Sequence, residues 1–235
     1  MPKPIPFTPQ APASPLSYDF RAWPEIDCAQ IPRVRFVCGD TFAVGYLSVT
    51  FAAPKTGKSL LALSEAIDVA TGRGFLTGKP AAPIKVFYYN AEDDLAVIHG
   101  RMAVVLQAWQ IPQSEITGRL FAVSGVSAES PVVLIRGEKG DIAETAFLAL
   151  SDLIKREGIA LAIFDALQDL SHSPETNEVF RALGGHICAL ASETGAAIGL
   201  VNHTRKPSPG IAPSRAATLR ASGPHSVRLR LCAKR

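Results

Sequence analysis

Long apolar runs are missing from this chain. Nothing in its 235 residues approaches the roughly 18 consecutive apolar residues that a membrane-spanning helix needs. The N-terminus has no apolar stretch behind a basic start, so no secretory signal is expected. Cysteine is scarce and scattered: Cys28, Cys38, Cys188 and Cys232 include no C-x-x-C pair, which argues against a zinc site and a disulfide scaffold. Together these absences predict a cytoplasmic protein with reduced thiols. Acidic residues are absent after Glu193, while Arg205, Lys206, Arg215, Arg220, Arg228, Arg230, Lys234 and Arg235 follow it. Net charge is only +3, so this one-sided tail matters more than the total. It suits a polyanion such as nucleic acid, and equally a solvated basic tail. Segment 204–215 carries no aromatic residue, so base stacking of the kind that binds single strands has no support there.

The chain does have apolar residues in quantity, 47% of the total, enough for a sizeable core. Prolines 2, 4, 6, 9, 12 and 15 mark residues 1–25 as a Pro-rich, extended N-terminal segment. A mixed lead-in follows, and regular patterning starts at residue 46. YLSVTF (46–51), IKVFYY (84–89), RLFAVS (119–124), the start of IALAIFDALQDL (159–170) and AAIGLVNHT (196–204) are expected strands. Helices are expected over 59–72, 94–110, 141–158 and 175–195. In the third of these Asp141 is the expected cap, with Gly158 as the stop, and the Gly184–Gly185 pair weakens the fourth. Strands alternating with helices predict an α/β fold, mainly a parallel sheet with helices on both faces. Ligands gather at the carboxyl ends of the strands in such folds.

At one such end lies AAPKTGKS (52–59), which fits G-x-x-x-x-G-K-[ST] except that Ala52 replaces the first glycine. Gly57 lets the backbone curl so that amides of Pro54–Leu60 (Pro54 itself lacking an N–H), namely Lys55, Thr56, Gly57, Lys58, Ser59 and Leu60, surround an anion at a helix N-terminus. Lys58 is expected to reach the β- and γ-phosphates of ATP and the Ser59 hydroxyl to bind Mg2+. Ala52 falls at the strand exit, outside the amides that form the cradle.

Such a loop needs carboxylate partners. LAIFD (161–165) ends an apolar strand in Asp165, the expected second Mg2+ ligand, with Asp169 as the fallback. YYNAEDD (88–94) places Glu92, Asp93 and Asp94 after the second strand. Glu92 is the expected catalytic base, while Asp93 or Asp94 serves equally as a helix cap. His203 ends the last strand, where it is either a γ-phosphate sensor or an ordinary surface residue.

The series AAPKTGKS, YYNAEDD, LAIFDALQDL and LVNHTRKP resembles the RecA-like P-loop ATPases of the RepA type, relatives of hexameric replicative helicases from plasmids and phages. The lead-in IPRVRFVCGDTFAVGYLSVTF (31–51) and ATGRGFLTGKP (70–80) resemble the same family. The resemblance implies a RecA-like ATPase domain over 26–231, ahead of a basic tail at 232–235, that hydrolyses ATP between subunits of a ring. It also implies Glu92 as catalytic glutamate, Asp165 as the metal-ordering aspartate and His203 as sensor. Arg215, in SRAATLRASGPHSVRLRL (214–231), matches the arginine that reaches a neighbour's γ-phosphate; a phosphate-backbone or solvent contact is its alternative. Ala216 stands in place of the family's glycine, Pro224 falls within its helix, and the family's later strands are not matched, so a divergent or truncated end is expected. DNA, single-stranded and without sequence preference, is the implied partner, with a homo-oligomer as the working form. Two other readings of the residues stand beside this: a nucleotide-binding module that organises DNA without unwinding it, and a small-molecule P-loop kinase.

Overall fold

The computed structural model describes residues 27–31, 33–53, 55–127, 132–136, 141–171, 176–203 and 227–231. The Pro-rich segment 1–25, Pro54, the loop 204–215 with Arg215, Ala216, Pro224 and the tail 232–235 lie outside them. The chain divides at Arg33/Val34. Of the first unit, the described part is a 3-10 turn, Cys28–Gln30, opened by Asp27, whose carboxylate accepts the Ala29 amide at 2.9 Å.

The second unit is built on a six-stranded sheet. β1 (Leu47–Ala52), β2 (Lys85–Asn90), β3 (Leu120–Ser124), β6 (Ile159–Asp165), β7 (Ala197–His203) and β8 (Val227–Leu231) lie in the order β3-β2-β6-β7-β1-β8. The first five are parallel, and β8 closes the far edge antiparallel to β1, with Leu47 opposite Leu231 and Phe51 opposite Val227. VRLRL (227–231), the end of the segment that carries Arg215, is thus an edge strand. Its alternation of apolar and basic residues has the two-residue period of a strand.

That same period sorts each strand's residues onto two faces. Val86, Tyr88, Leu161, Ile163, Ala197 and Val201 face α1 (Lys58–Thr71) and α2 (Leu95–Ala108). Phe87, Tyr89, Ala162, Phe164, Ile198 and Leu200 face α3 (Glu144–Glu157) and α4 (Asn177–Thr194). Two cores result, one on each side of the sheet, and this is why the central strands read as unbroken apolar runs.

Register matters between β2 and β6. Lys85 lies opposite Ile159 but Val86 opposite Leu161, so β6 carries one extra residue, Ala160, at a bulge. From there the ladder runs in step to Asn90 opposite Asp165.

One helix expectation is corrected. Asp141 is not a cap: Asp141–Ile142 forms β5, paired antiparallel with β4 (Ile135–Arg136), and α3 begins at Glu144 after Ala143, with no side-chain cap bond. Its expected stop, Gly158, does hold the left-handed conformation, with φ of 66°. The Gly184–Gly185 pair does not interrupt α4, which runs unbroken to Thr194 and stops at Gly195. No helix among the described residues is long and apolar enough to cross a membrane.

Candidate functional site

The loop between β1 and α1 is held open by its own backbone. Lys55 has φ of 64° and Gly57 of 84°, both left-handed, and glycine removes the steric cost at the second position. The Thr56 hydroxyl donates to the Ala53 carbonyl at 2.8 Å, tying the loop across its base. The first helical bond of α1 runs from the Leu61 amide to the Gly57 carbonyl at 2.9 Å, so the amides of Lys58, Ser59 and Leu60 precede the first intrahelical donor. Lys58 is buried, and its ammonium donates to the Ala53 carbonyl at 3.1 Å. Leu60 points outward, 41% exposed, so its contribution to an anion cradle is its amide.

Asp165 ends β6, two strands from β1, and is 2% exposed. Its carboxylate accepts from the Ser59 hydroxyl and from the Tyr88 hydroxyl, the latter at 3.1 Å. Burial raises its pKa above the usual carboxylate range. The bonds from Ser59 and Tyr88 oppose that shift, the negative charge of Glu92 adds to it, and the positive charge of Lys58 opposes it. Lys58, Ser59, Glu92 and Asp165 therefore share one electrostatic neighbourhood, although the sequence spreads them over more than a hundred residues. Asp169, the fallback, sits exposed on the 3-10 turn Leu167–Leu170.

Glu92 is exposed on the loop leaving β2. Its neighbours divide the tasks that the sequence left open. Asp94 caps α2, its carboxylate accepting the Val97 amide at 2.8 Å. Asp93 forms a two-pronged ion pair with Arg101, one prong of 3.1 Å and one very short. The backbone of His203 ends β7 opposite Ala52 of β1, at the same sheet edge as the loop.

Sequence reasoning missed the polar contacts that join these parts. Asn90 is 1% exposed at the end of β2. Its carbonyl oxygen accepts the amides of Glu92 (3.0 Å) and Asp93 (2.7 Å). Its amide group faces Asp93 (3.2 Å), Tyr88 (3.3 Å) and Asp165 (3.4 Å). The available signal was the two-residue step Val86, Tyr88, Asn90, which puts both polar residues on one face; the facing residue needed the register.

The residues present fit a nucleotide with a magnesium ion. Ser59 and Asp165 supply hard oxygen donors, already bonded to each other at the mouth of the loop. Magnesium keeps several waters and takes one or two protein oxygens beside substrate phosphates.

Residues 12–209 match the model of a family described as AAA domain. The chain belongs to this AAA domain family. No curated protein matches it. Among solved structures, a KaiC-like protein from the hyperthermophilic archaeon Pyrococcus horikoshii OT3 is similar, with 17% identity, a TM-score of 0.51 and 73% of each chain covered. At that identity the likeness is one of fold, and the fold is the RecA-like P-loop type expected from the motifs. This AAA domain thus has a RecA-like P-loop fold. The RepA-type subfamily is a finer assignment than these likenesses carry.

Proposed function

We propose that this chain binds ATP with Mg2+ and hydrolyses it as a RecA-like motor of the RepA type, a DNA helicase or helicase-like replication protein of a mobile element. The observation that carries the ATPase reading is Asp165, buried against the Ser59 hydroxyl within the fields of Lys58 and Glu92. Lys58 and the amides of residues 55–60 hold the phosphates. Ser59 and Asp165 would hold the metal, which would supply charge neutralisation at the phosphates. The Glu92 carboxylate takes a proton from the attacking water as the bond to the γ-phosphorus forms; ADP leaves with the bridging oxygen, and inorganic phosphate is the second product. His203 senses the γ-phosphate. Arg215 reaches the neighbouring subunit's site in a cytoplasmic homo-oligomeric ring.

The DNA reading is supported by the resemblance and by the acid-free chain after Glu193, where Arg205, Lys206 and Arg215 follow the sensor strand. Phosphate contacts of this kind make affinity fall with salt. Phosphate release with and without single-stranded DNA, for the parent and for Lys58→Ala and Glu92→Gln, tests the proposal. Both variants are expected to lose about 100-fold or more in turnover, the range for removing one group that stabilises transition-state charge. Equal turnover of parent and Lys58→Ala would sink the ATPase reading. Turnover indifferent to DNA would leave the ATPase and remove the motor.

A further inference from the structure

Asn90 stands where two strand ends meet, and every polar atom of its buried side chain has a task. It lies opposite Asp165 in the β2–β6 ladder, on the same face as Tyr88. One end of its amide grips the turn that carries Glu92; the other faces Asp165, Tyr88 and Asp93. The turn is pinned from outside as well. The Ala91 amide donates to the Asp165 carbonyl at 2.6 Å. The Ser124 hydroxyl, at the end of β3, donates to the Asp93 carbonyl at 2.7 Å and accepts the Ser127 amide at 3.0 Å. Arg101, from the second turn of α2, closes on the Asp93 carboxylate.

We infer that Asn90 is a positioning residue for hydrolysis: its side chain couples the carboxylate of Asp165 to the turn bearing Glu92, and the Asp93–Arg101 pair locks the outer half of that coupling. The inference rests on the ATPase reading above and deepens it. A buried asparagine that only satisfied its surroundings would need no particular neighbours. Here both carboxylate-bearing elements converge on one side-chain amide, which orders them relative to each other. A 1 Å displacement of a reacting group is enough to cost about 100-fold in rate, so a turn held on three sides has a direct catalytic use. Leucine, close in volume, cannot make these bonds. Aspartate keeps the one oxygen that accepts both the Glu92 and Asp93 amides but loses the donor and adds charge beside Asp165 and Asp93.

The test compares the parent full-length chain with Asn90→Ala, Asn90→Asp and Arg101→Gln. Three readouts are taken: kcat and KM for Mg-ATP, the Kd of fluorescently labelled ADP, and hydrogen–deuterium exchange in the nucleotide-free protein. Asn90→Ala is expected to lower kcat at least tenfold, with KM and Kd within about threefold of the parent. Amides of residues 91–95 should exchange about tenfold faster, as expected for loss of two hydrogen bonds, while β6 stays protected. Arg101→Gln, at a half-exposed side chain, should give a smaller change of the same kind, and Asn90→Asp should restore protection of residues 91–95 without restoring kcat. Parental kcat in Asn90→Ala with unchanged exchange overturns the inference. So does a common loss of kcat, nucleotide affinity and β6 protection, which marks Asn90 as a core residue only; if Asn90→Ala does not fold, parental kcat in Arg101→Gln overturns it. A parent with no turnover sensitive to Lys58→Ala removes the ATPase reading beneath it, a result distinct from an active parent whose Asn90 variant is equally active.

Discussion

Replacing Tyr88 by phenylalanine removes a single oxygen from the buried cluster. The ring stays, so no cavity opens and the transfer and cavity terms of a large-to-small change do not arise. What is lost is one hydroxyl donating to Asp165 at 3.1 Å. Burial, and then the charge of Asp165, hold the Tyr88 phenol far above its usual pKa, so it is a donor at any working pH. A hydrogen bond to a charged acceptor is worth about 1.5–3 kcal/mol, and the variant recovers part of this because no hydroxyl need be desolvated. Asp165 keeps the Ser59 hydroxyl and the longer contact from Asn90 at 3.4 Å. The net loss should be about 1–2 kcal/mol at pH 8. Its pH dependence has a definite sign. The folded-state pKa of Asp165 is raised, so the stability linked to its proton is fully present below the ordinary carboxylate pKa and is lost as pH rises through the folded value. The Tyr88 bond opposes that rise, and without it the loss at high pH is deeper. Urea unfolding of Tyr88→Phe against the parent, at pH 8 and at the lowest pH where both fold, should give a destabilisation that at least halves on acidification. A difference within about 0.3 kcal/mol of zero at pH 8, or one equal at both pH values, would refute a bond from Tyr88 to an ionised Asp165.

Three further outcomes are expected. On α4, Gly184 and Gly185 each have open space where a Cβ would stand, so alanine at either should stabilise by about 0.5–1 kcal/mol. At Gly125 a Cβ would press on the Tyr89 hydroxyl, with Tyr89 Cζ at 2.9 Å and Ala91 Cα at 3.0 Å, so Gly125→Ala should destabilise by about 1–3 kcal/mol; thermal melting of the three variants checks the opposite signs. Magnesium binding with ADP should raise the melting temperature above the raised pKa of Asp165 and lose that increment as pH falls through it, because the ion needs the carboxylate ionised. A magnesium increment independent of pH, or one retained in Asp165→Asn, would count against Asp165 as ligand.

Features that depend on neighbours in the chain could be read from the sequence. The strand, loop and helix around Lys58 are contiguous, and the apolar run before Asp165 is long enough to mark a central strand. Asp94 and Gly158 act through bonds within one turn, so their residue types were informative. Asp141 misled because Asp, then Glu144 three residues on, satisfies the local pattern of a helix start, whereas the pairing of Asp141 with Arg136 in β4–β5 is a tertiary choice. The glycine pair in α4 weakens a helix by propensity alone, and packing of Leu183, Ile187 and Leu190 into the core outweighs it. Tyr88 and Asn90 escaped notice for a different reason. Their partner Asp165 lies 77 and 75 residues away, and the contact exists only once the strands are in register.

That register gives the bulge at Ala160 an importance beyond local geometry. Were β6 to pair with β2 without its extra residue, continuing from Lys85 opposite Ile159, Asn90 would meet Phe164 in place of Asp165. Because side chains alternate across a sheet, a slip of one position also sends each residue's partner to the opposite side, so Tyr88 would stand against a residue of the α3–α4 layer. The bulge therefore works as a frame-setting insertion, and a one-residue deletion about five residues upstream of Asp165 should disconnect the acidic centre from the turn bearing Glu92 while leaving every functional side chain in the sequence.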